Sequence, residues 1–184
     1  MLFKVGDGTL DRSTELYWDN LYQVEEYPNC SRMKIGSSSN EIPLILDLCK
    51  DMDGPFGILF VLLASRLGKS AGRYQIPHPL SYEELELFMY ENQEFFERDG
   101  RHHLWVSSIT GEGQFIYDNH NFIYAYGNLD SYCNKLKSHG YHEGIIKIPA
   151  PHTHHYHPEF DNKEDELMGA FEWKYYPLQD SDDL

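Results

Sequence analysis

The sequence predicts an α+β fold, in which a mostly antiparallel sheet carries two or three packed helices. Residues 102–127 contain three short stretches typical of strands, joined by two tight turns, which is the pattern of a three-strand meander. Helical patterns flank this meander, at residues 81–100 before it and 128–140 after it. A chain of 184 residues suits one domain, so we interpret 1–184 as a single α+β domain.

The meander should form the centre of the sheet. Its first strand alternates, with Trp105 facing away from Leu104. Glycines in the first turn and Asp118–Asn121 in the second provide tight connections. The third strand, residues 122–126, carries bulky side chains on both faces. A strand that is apolar on both sides is usually covered on both sides, which indicates a central position.

The chain before the meander is less clear. Residues 1–39 are poorly defined, although residues 11–27 have a weak helical pattern that ends at a proline. We expect Asn40 to cap a short helix over 41–52, while the same apolar residues fit a strand almost as well. Residues 58–63 and 73–76 should be two strands.

The strongest helix signal begins at Ser81. Ser81 and Glu84 have the spacing of a capping box, and Gly100 supplies an expected end. Leu85, Phe88, Met89, Phe95 and Phe96 form its apolar face, with Asn92 in the middle.

The chain after the meander should contain one more helix and further strands. Asn128 can cap the helix that ends at Gly140. Residues 145–148 are typical of a strand, and residues 167–176 of a final strand or a short helix. We expect residues 177–184 to be a frayed acidic tail.

Composition excludes some classes of protein. The chain has 15 Lys and Arg against 30 Asp and Glu, a net charge of −15, which disfavours binding to nucleic acid or to an anionic membrane. No apolar run is long enough to span a bilayer, and the first residues lack a signal-peptide core. Three cysteines lie far apart and suggest no disulfide framework, so we expect a cytoplasmic protein.

A cluster of four histidines lies between residues 152 and 157. We expect His152, His154 and His157 to be metal ligands, because neutral imidazoles two residues apart on an extended chain can chelate one cation. A divalent zinc or iron ion would want three such ligands and an open position. A proline-flanked connector exposed to solvent is the alternative interpretation.

Three further residues could serve catalysis at such a centre. Glu159 follows the cluster and could act as the general base for a metal-bound water. Asp118 and His120 could arrive from the second turn of the meander, and either could also supply a ligand, as could the carboxylate of Glu159 or Asp161. This interpretation makes the chain a small metal-dependent hydrolase-like enzyme or a metal-binding protein.

The spacing of His152, His154 and Glu159, with Gly144 before them, resembles the first metal motif of cupins. The resemblance covers residues 144–159 and implies a metal site there. A cupin also needs a second motif with another histidine downstream, and no histidine follows His157. We therefore do not assign the chain to that family.

Acidic residues are concentrated on the helix at 81–100, which carries seven acids and one base. Like charges on one helix face repel, so such a face can be retained for a basic protein partner. This favours, slightly, an acidic interaction module of the immunity or inhibitor type. A solvated face without a partner is the other possibility. The expected partner-binding residues are Glu83, Glu86, Tyr90, Glu94 and Glu97.

Overall fold

A mostly antiparallel sheet of nine strands organises the part of the chain that the computed structural model describes, residues 2–8 and 14–182. The described residues form eleven strands, nine of which belong to this sheet and two to a separate pair. They are β1 (Val5–Asp7), β2 (Leu21–Tyr27), β3 (Cys30–Gly36), β4 (Phe56–Leu62), β5 (Gly72–Gln75), β6 (His102–Ser108), β7 (Gly113–Tyr117), β8 (Phe122–Gly127), β9 (His142–Glu143), β10 (His152–His154) and β11 (Lys174–Tyr176). The helices are α1 (Glu41–Cys49), α2 (Tyr82–Glu91), α3 (Gln93–Arg98), α4 (Leu129–Ser138) and α5 (Asp161–Gly169). The α+β fold class is confirmed.

The meander lies at the centre of the large sheet, as predicted. The strand order is β11-β5-β4-β6-β7-β8-β3-β2-β9, and the pairing is antiparallel except between β2 and β9. The two remaining strands, β1 and β10, form a separate antiparallel pair. This small sheet carries two of the clustered histidines.

The sheet is covered on both faces at its centre. Leu104 and Val106 point into the main core, which the helices share. Trp105 points to the opposite face and packs with a smaller apolar cluster that includes Phe122 and Tyr124. The predicted alternation of β6 and the interior position of β8 are therefore confirmed.

The capping box at the start of α2 is confirmed, but the predicted single helix is broken at Asn92. The Ser81 hydroxyl accepts a hydrogen bond from the Glu84 backbone N–H, and the Glu84 carboxylate accepts one from the Ser81 N–H. Asn92 separates α2 from α3, and its side chain donates to the Phe88 carbonyl at 2.7 Å. An asparagine side chain that bonds to the backbone in this way competes with the helix.

The predicted helix over residues 11–27 is wrong where the structure describes it. β2 and β3 form a hairpin there, and β3 continues the large sheet by pairing with β8. Residues 9–13 lie outside the described part of the chain. β2, the strand within the predicted helix, pairs with β3 on one side and with the distant β9 on the other, and this pairing overrides a weak local helical pattern.

The helix predicted after Asn40 is confirmed as α1, but the capping role of Asn40 is wrong. Asn40 has φ 62° and makes no side-chain cap hydrogen bond. The first turn of α1 is held from elsewhere, because the Ile42 N–H donates to the Glu97 carboxylate at 3.0 Å.

The strand predicted at 145–148 is wrong, because residues 144–149 have no regular structure. The Ile146 N–H donates to the side-chain oxygen of Gln23 at 2.9 Å instead of joining a strand ladder. The prediction for 167–176 is partly met by the end of α5 and by β11, which pairs with β5. Asp180–Asp182 form a short 3-10 helix; fraying of the tail stays a prediction. Within the described residues, no helix has the length and apolar character needed to cross a membrane.

Candidate metal centre

Three histidines converge beside the centre of the sheet. His120, His152 and His154 each place a ring nitrogen so that these atoms all lie within 4.8 Å of one another. The Nε2 atoms of His120 and His152 are 3.3 Å apart. Two nitrogen ligands of one tetrahedral zinc ion, each about 2.0–2.1 Å from the metal, are separated by about 3.3 Å. This group can hold a metal ion.

The two sheets bring these histidines together. His152 and His154 lie on the same side of β10, which is held by antiparallel pairing of Val5 with His154 and Asp7 with His152. His120 occupies the turn between β7 and β8. The site therefore forms where β10 covers one end of the central meander.

The outer nitrogen of each ring contacts an acceptor. Nδ1 of His154 lies 3.1 Å from the Asn119 carbonyl, and Nδ1 of His152 lies 3.1 Å from the Pro149 carbonyl. Nδ1 of His120 lies 3.1 Å from the Asp118 carboxylate. Because carbonyl and carboxylate oxygens only accept, Nδ1 of each ring donates to its partner, and Nε2 is the nitrogen that remains for a metal ion. Metal-binding histidines show this arrangement, in which a partner fixes ring orientation and tautomer.

The charge states of the group suit a cation. Burial, reinforced by the neighbouring rings of His120 and His152, lowers the pKa of His154 to about 4. His154 is therefore neutral near pH 7. Burial by itself raises the pKa of Asp118, but the hydrogen bonds from His120 and the Phe122 backbone help to outweigh it, so the net pKa is below the ordinary 3.8. Asp118 thus supplies a buried negative charge next to the ring of His120.

A cavity of about 540 Å³ opens beside the three rings. His103, Asn119 and Asp182 line it, and Leu63, Tyr156 and Leu178 provide apolar wall. Within the described residues, both ring nitrogens of His103 and one side-chain oxygen each of Asn119 and Asp182 are buried without a hydrogen-bond partner. Burial lowers the pKa of His103 to about 4, so this ring is also neutral near pH 7. The cavity wall is therefore polar where it meets the rings.

Two residues expected at the site point elsewhere. Nε2 of His157 lies 2.9 Å from the Phe3 carbonyl, and its ring stacks on His155 with centroids 5.9 Å apart. Glu159 is exposed in the short 3-10 helix Pro158–Phe160. The structure does not bring either side chain into the converging group. Their roles as ligand and base stay predictions.

Three residues of the cavity wall could not be recognised from the sequence as parts of the site. His103 lies within the first predicted strand of the meander, and nothing in the order of residues links Asp182 to a histidine about thirty or sixty positions away. Asn119 was interpreted as a turn residue. A buried polar side chain on a central strand, as at His103, was the one available signal.

The acidic helix residues are divided by the break at Asn92. Glu83 and Glu86 lie on α2, whereas Glu94 lies on α3. A shallow groove on this side is lined by Tyr90, Glu94 and Glu97, and also by the basic side chain of Arg98. Glu97 also holds the start of α1, so it is only partly available to a partner.

Three imidazoles with an open side toward a cavity can bind a divalent cation and leave a position for another ligand. Comparison of the chain with family models, curated proteins and solved structures found no match. The chemistry of the site is therefore inferred from its own side chains.

Proposed function

We propose that this protein binds one divalent metal ion through Nε2 of His120, His152 and His154, and that it is a metal-dependent hydrolase-like enzyme. One observation carries the proposal: the Nδ1 atoms of all three rings are held by acceptors, while one nitrogen of each ring converges within 4.8 Å. Metal-binding histidines show this combination, in which an acceptor fixes each ring while its other nitrogen is directed toward the ion.

Zinc fits this group better than iron. Three neutral imidazoles and an open position are typical of catalytic zinc, whereas non-haem iron commonly uses two histidines and a carboxylate. The group found among the described residues contains no carboxylate. Zinc with this ligand set lowers the pKa of a bound water to about 7 and polarises carbonyl groups.

The protein's own residues take distinct roles in this proposal. Asp118 orients His120, because its carboxylate accepts a hydrogen bond from Nδ1 of the ring. Asp118 itself is not one of the residues that line the cavity. His120 serves as a ligand and not as an acid or base. Glu159 is exposed, so its use as a general base would require movement of its 3-10 helix. His103 is the neutral side chain that lines the cavity next to the rings.

Elemental analysis of untagged protein tests the metal site. We expect about one equivalent of zinc per chain in the wild-type protein, and its loss in His154→Ala. His157→Ala is the matched control, because it removes an imidazole from the same segment but not from the converging group. Wild-type protein that holds no metal and takes up no zinc at micromolar concentration would refute the proposal.

A second candidate function is binding of a basic protein by the acidic side of α2 and α3. It is supported by the groove that Tyr90, Glu94 and Glu97 share, and by the exposure of Tyr90 and Leu87, which are 49% and 60% exposed. Exposed aromatic and apolar side chains among acids suit an interface with a basic partner. Metal content does not bear on this candidate.

A further inference from the structure

Buried polar atoms without partners are concentrated in one place. Within the described residues such atoms occur on five residues, and three of them, His103, Asn119 and Asp182, line the cavity beside the converging histidines. A buried polar group left without a partner destabilises the folded protein. A ligand in the cavity that pairs with these groups can remove this cost.

Asp182 is the most informative of the three. Its side chain is 2% exposed, and Oδ2 accepts the Gln179 backbone N–H at 2.8 Å. Oδ1 lies 3.6 Å from the guanidinium of Arg73, which is too long for a hydrogen bond but offsets part of the charge. Oδ1 is therefore left without a hydrogen-bond donor, on a residue that lines the cavity.

The unpaired atoms indicate what that molecule must offer. Oδ1 of Asn119 and Oδ1 of Asp182 only accept, so the ligand has to donate. The neutral ring of His103 can donate through one nitrogen and accept through the other. Leu63 and Leu178 leave an apolar wall for a short carbon chain. The volume of about 540 Å³ suits a small organic molecule.

We propose that the cavity is the substrate subsite of the metal centre, and that it recognises a small acyl compound whose chain carries an amino or hydroxyl donor, bound by Asp182, Asn119 and His103. This inference rests on the proposed function, because the metal would take the acyl oxygen. The amino and hydroxyl compounds share one feature: each carries an N–H or O–H donor on the chain, separated from the oxygen that would bind the metal.

Three hydroxamates of equal length test the subsite on zinc-loaded full-length protein. Butanohydroxamate, β-hydroxypropanohydroxamate and β-alanine hydroxamate share a zinc-binding group and end in a methyl, a hydroxyl or an ammonium. Calorimetric titration gives the three dissociation constants. We expect the hydroxyl or the ammonium probe to bind about tenfold or more tightly than the methyl probe. The tighter of the two identifies the donor.

Asp182→Asn is the test variant, because its amide places a donor where Oδ1 accepts. The preference should be lost while zinc content and butanohydroxamate binding stay unchanged. Asp180→Asn, an exposed position in the same 3-10 helix, is the matched control and should keep the preference.

Two results would overturn the subsite alone. One is equal binding of all three probes to zinc-loaded wild-type protein. The other is a preference that persists in Asp182→Asn, which would assign it to chelation of zinc by the probe itself. Absence of zinc uptake by the wild type would overturn the metal centre and the subsite together.

Discussion

Asp118 contacts His120 through both carboxylate oxygens: Oδ1 accepts the backbone N–H at 2.9 Å, and Oδ2 accepts Nδ1–H at 3.1 Å. Oδ1 also accepts the Phe122 N–H at 2.8 Å. One buried carboxylate thus fixes the turn between β7 and β8 together with the ring that the turn carries. This pairing makes the ligand set sensitive to a residue that is not itself a ligand.

Asp118→Asn should weaken zinc binding about 10–100-fold. The amide oxygen can keep the backbone contacts, but the amide N–H₂ would face Nδ1 and favour the His120 tautomer with the proton on Nε2. A competition titration against a chromophoric chelator measures the change. Asp182→Asn, on the cavity wall, should leave the zinc affinity unaltered. An Asp118→Asn protein that binds zinc as tightly as the wild type would contradict the positioning role.

Glu41→Gln should stabilise the protein at alkaline pH. Glu41 is 5% exposed, and burial, reinforced by Glu97, raises its pKa from 4.5 to about 7. The folded chain therefore holds this proton more tightly than the unfolded chain. Stability from this group is complete below the ordinary pKa and is lost as the pH rises toward 7.

The expected gain for Glu41→Gln is about 1–3 kcal/mol in the free energy of unfolding near pH 8, and less near pH 5. Urea denaturation at both pH values measures it. Glu143→Gln removes an exposed charge and serves as the control, with no expected pH-dependent difference. A gain of equal size at both pH values would show that the charge of Glu41 is not the cause.

His102→Leu should reduce the acid sensitivity of the fold. His102 is buried, with its ring centroid 4.6 Å from that of Phe95, and burial holds its pKa well below 6.5. Below about pH 6.5 the unfolded chain gains a proton that the folded chain does not, so stability falls as the pH falls. One such group contributes a slope of up to about 1.4 kcal/mol per pH unit.

Unfolding free energies between about pH 7 and pH 5, measured with a chelator present, test the contribution of His102. The slope should be shallower in His102→Leu than in the wild type. His78→Leu changes an exposed histidine and should keep the wild-type slope. Identical slopes in wild type and His102→Leu would rule out this source of acid sensitivity.

Charge reversal tests the acidic side of α2 and α3. Glu86→Lys with Glu94→Lys should weaken binding of a decalysine peptide more than the same reversal at Glu143 and Glu172, which lie elsewhere on the surface. Both double variants change the net charge equally, so the comparison isolates position. Fluorescence anisotropy at low and physiological salt measures the affinity. An equal loss of peptide affinity in the two double variants would show that only the overall charge of the protein matters.

Local patterns were sufficient for the elements that local chemistry determines. The capping box at Ser81 and the alternation of β6 could be predicted, because each depends on residues only a few positions apart in the sequence. The hairpin of β2 and β3 could not be predicted in this way, because its position in the sheet depends on the pairing of β3 with β8. The break at Asn92 is an intermediate case. The sequence places Asn92 on the apolar face of the helix, but it does not predict the hydrogen bond from its side chain to the Phe88 carbonyl.

Only part of the metal-binding group could be predicted from the sequence, for the same reason. The alternation that puts His152 and His154 on one side is a local property of an extended chain. The choice of His120 as third member depends on how β10 lies over the meander, a contact across more than thirty residues. His157 was expected beside them, yet its ring contacts the backbone of Phe3.

The pairing of β10 with β1 has a consequence for how this site can change. Thr153 separates the two histidines, so their common orientation is a matter of parity along the strand. Deleting that one residue would set the imidazoles on opposite sides, and sliding the strand by one position would turn both away. Parity has no intermediate value. Along this route the centre can be abolished in a single step, but it cannot be weakened by degrees.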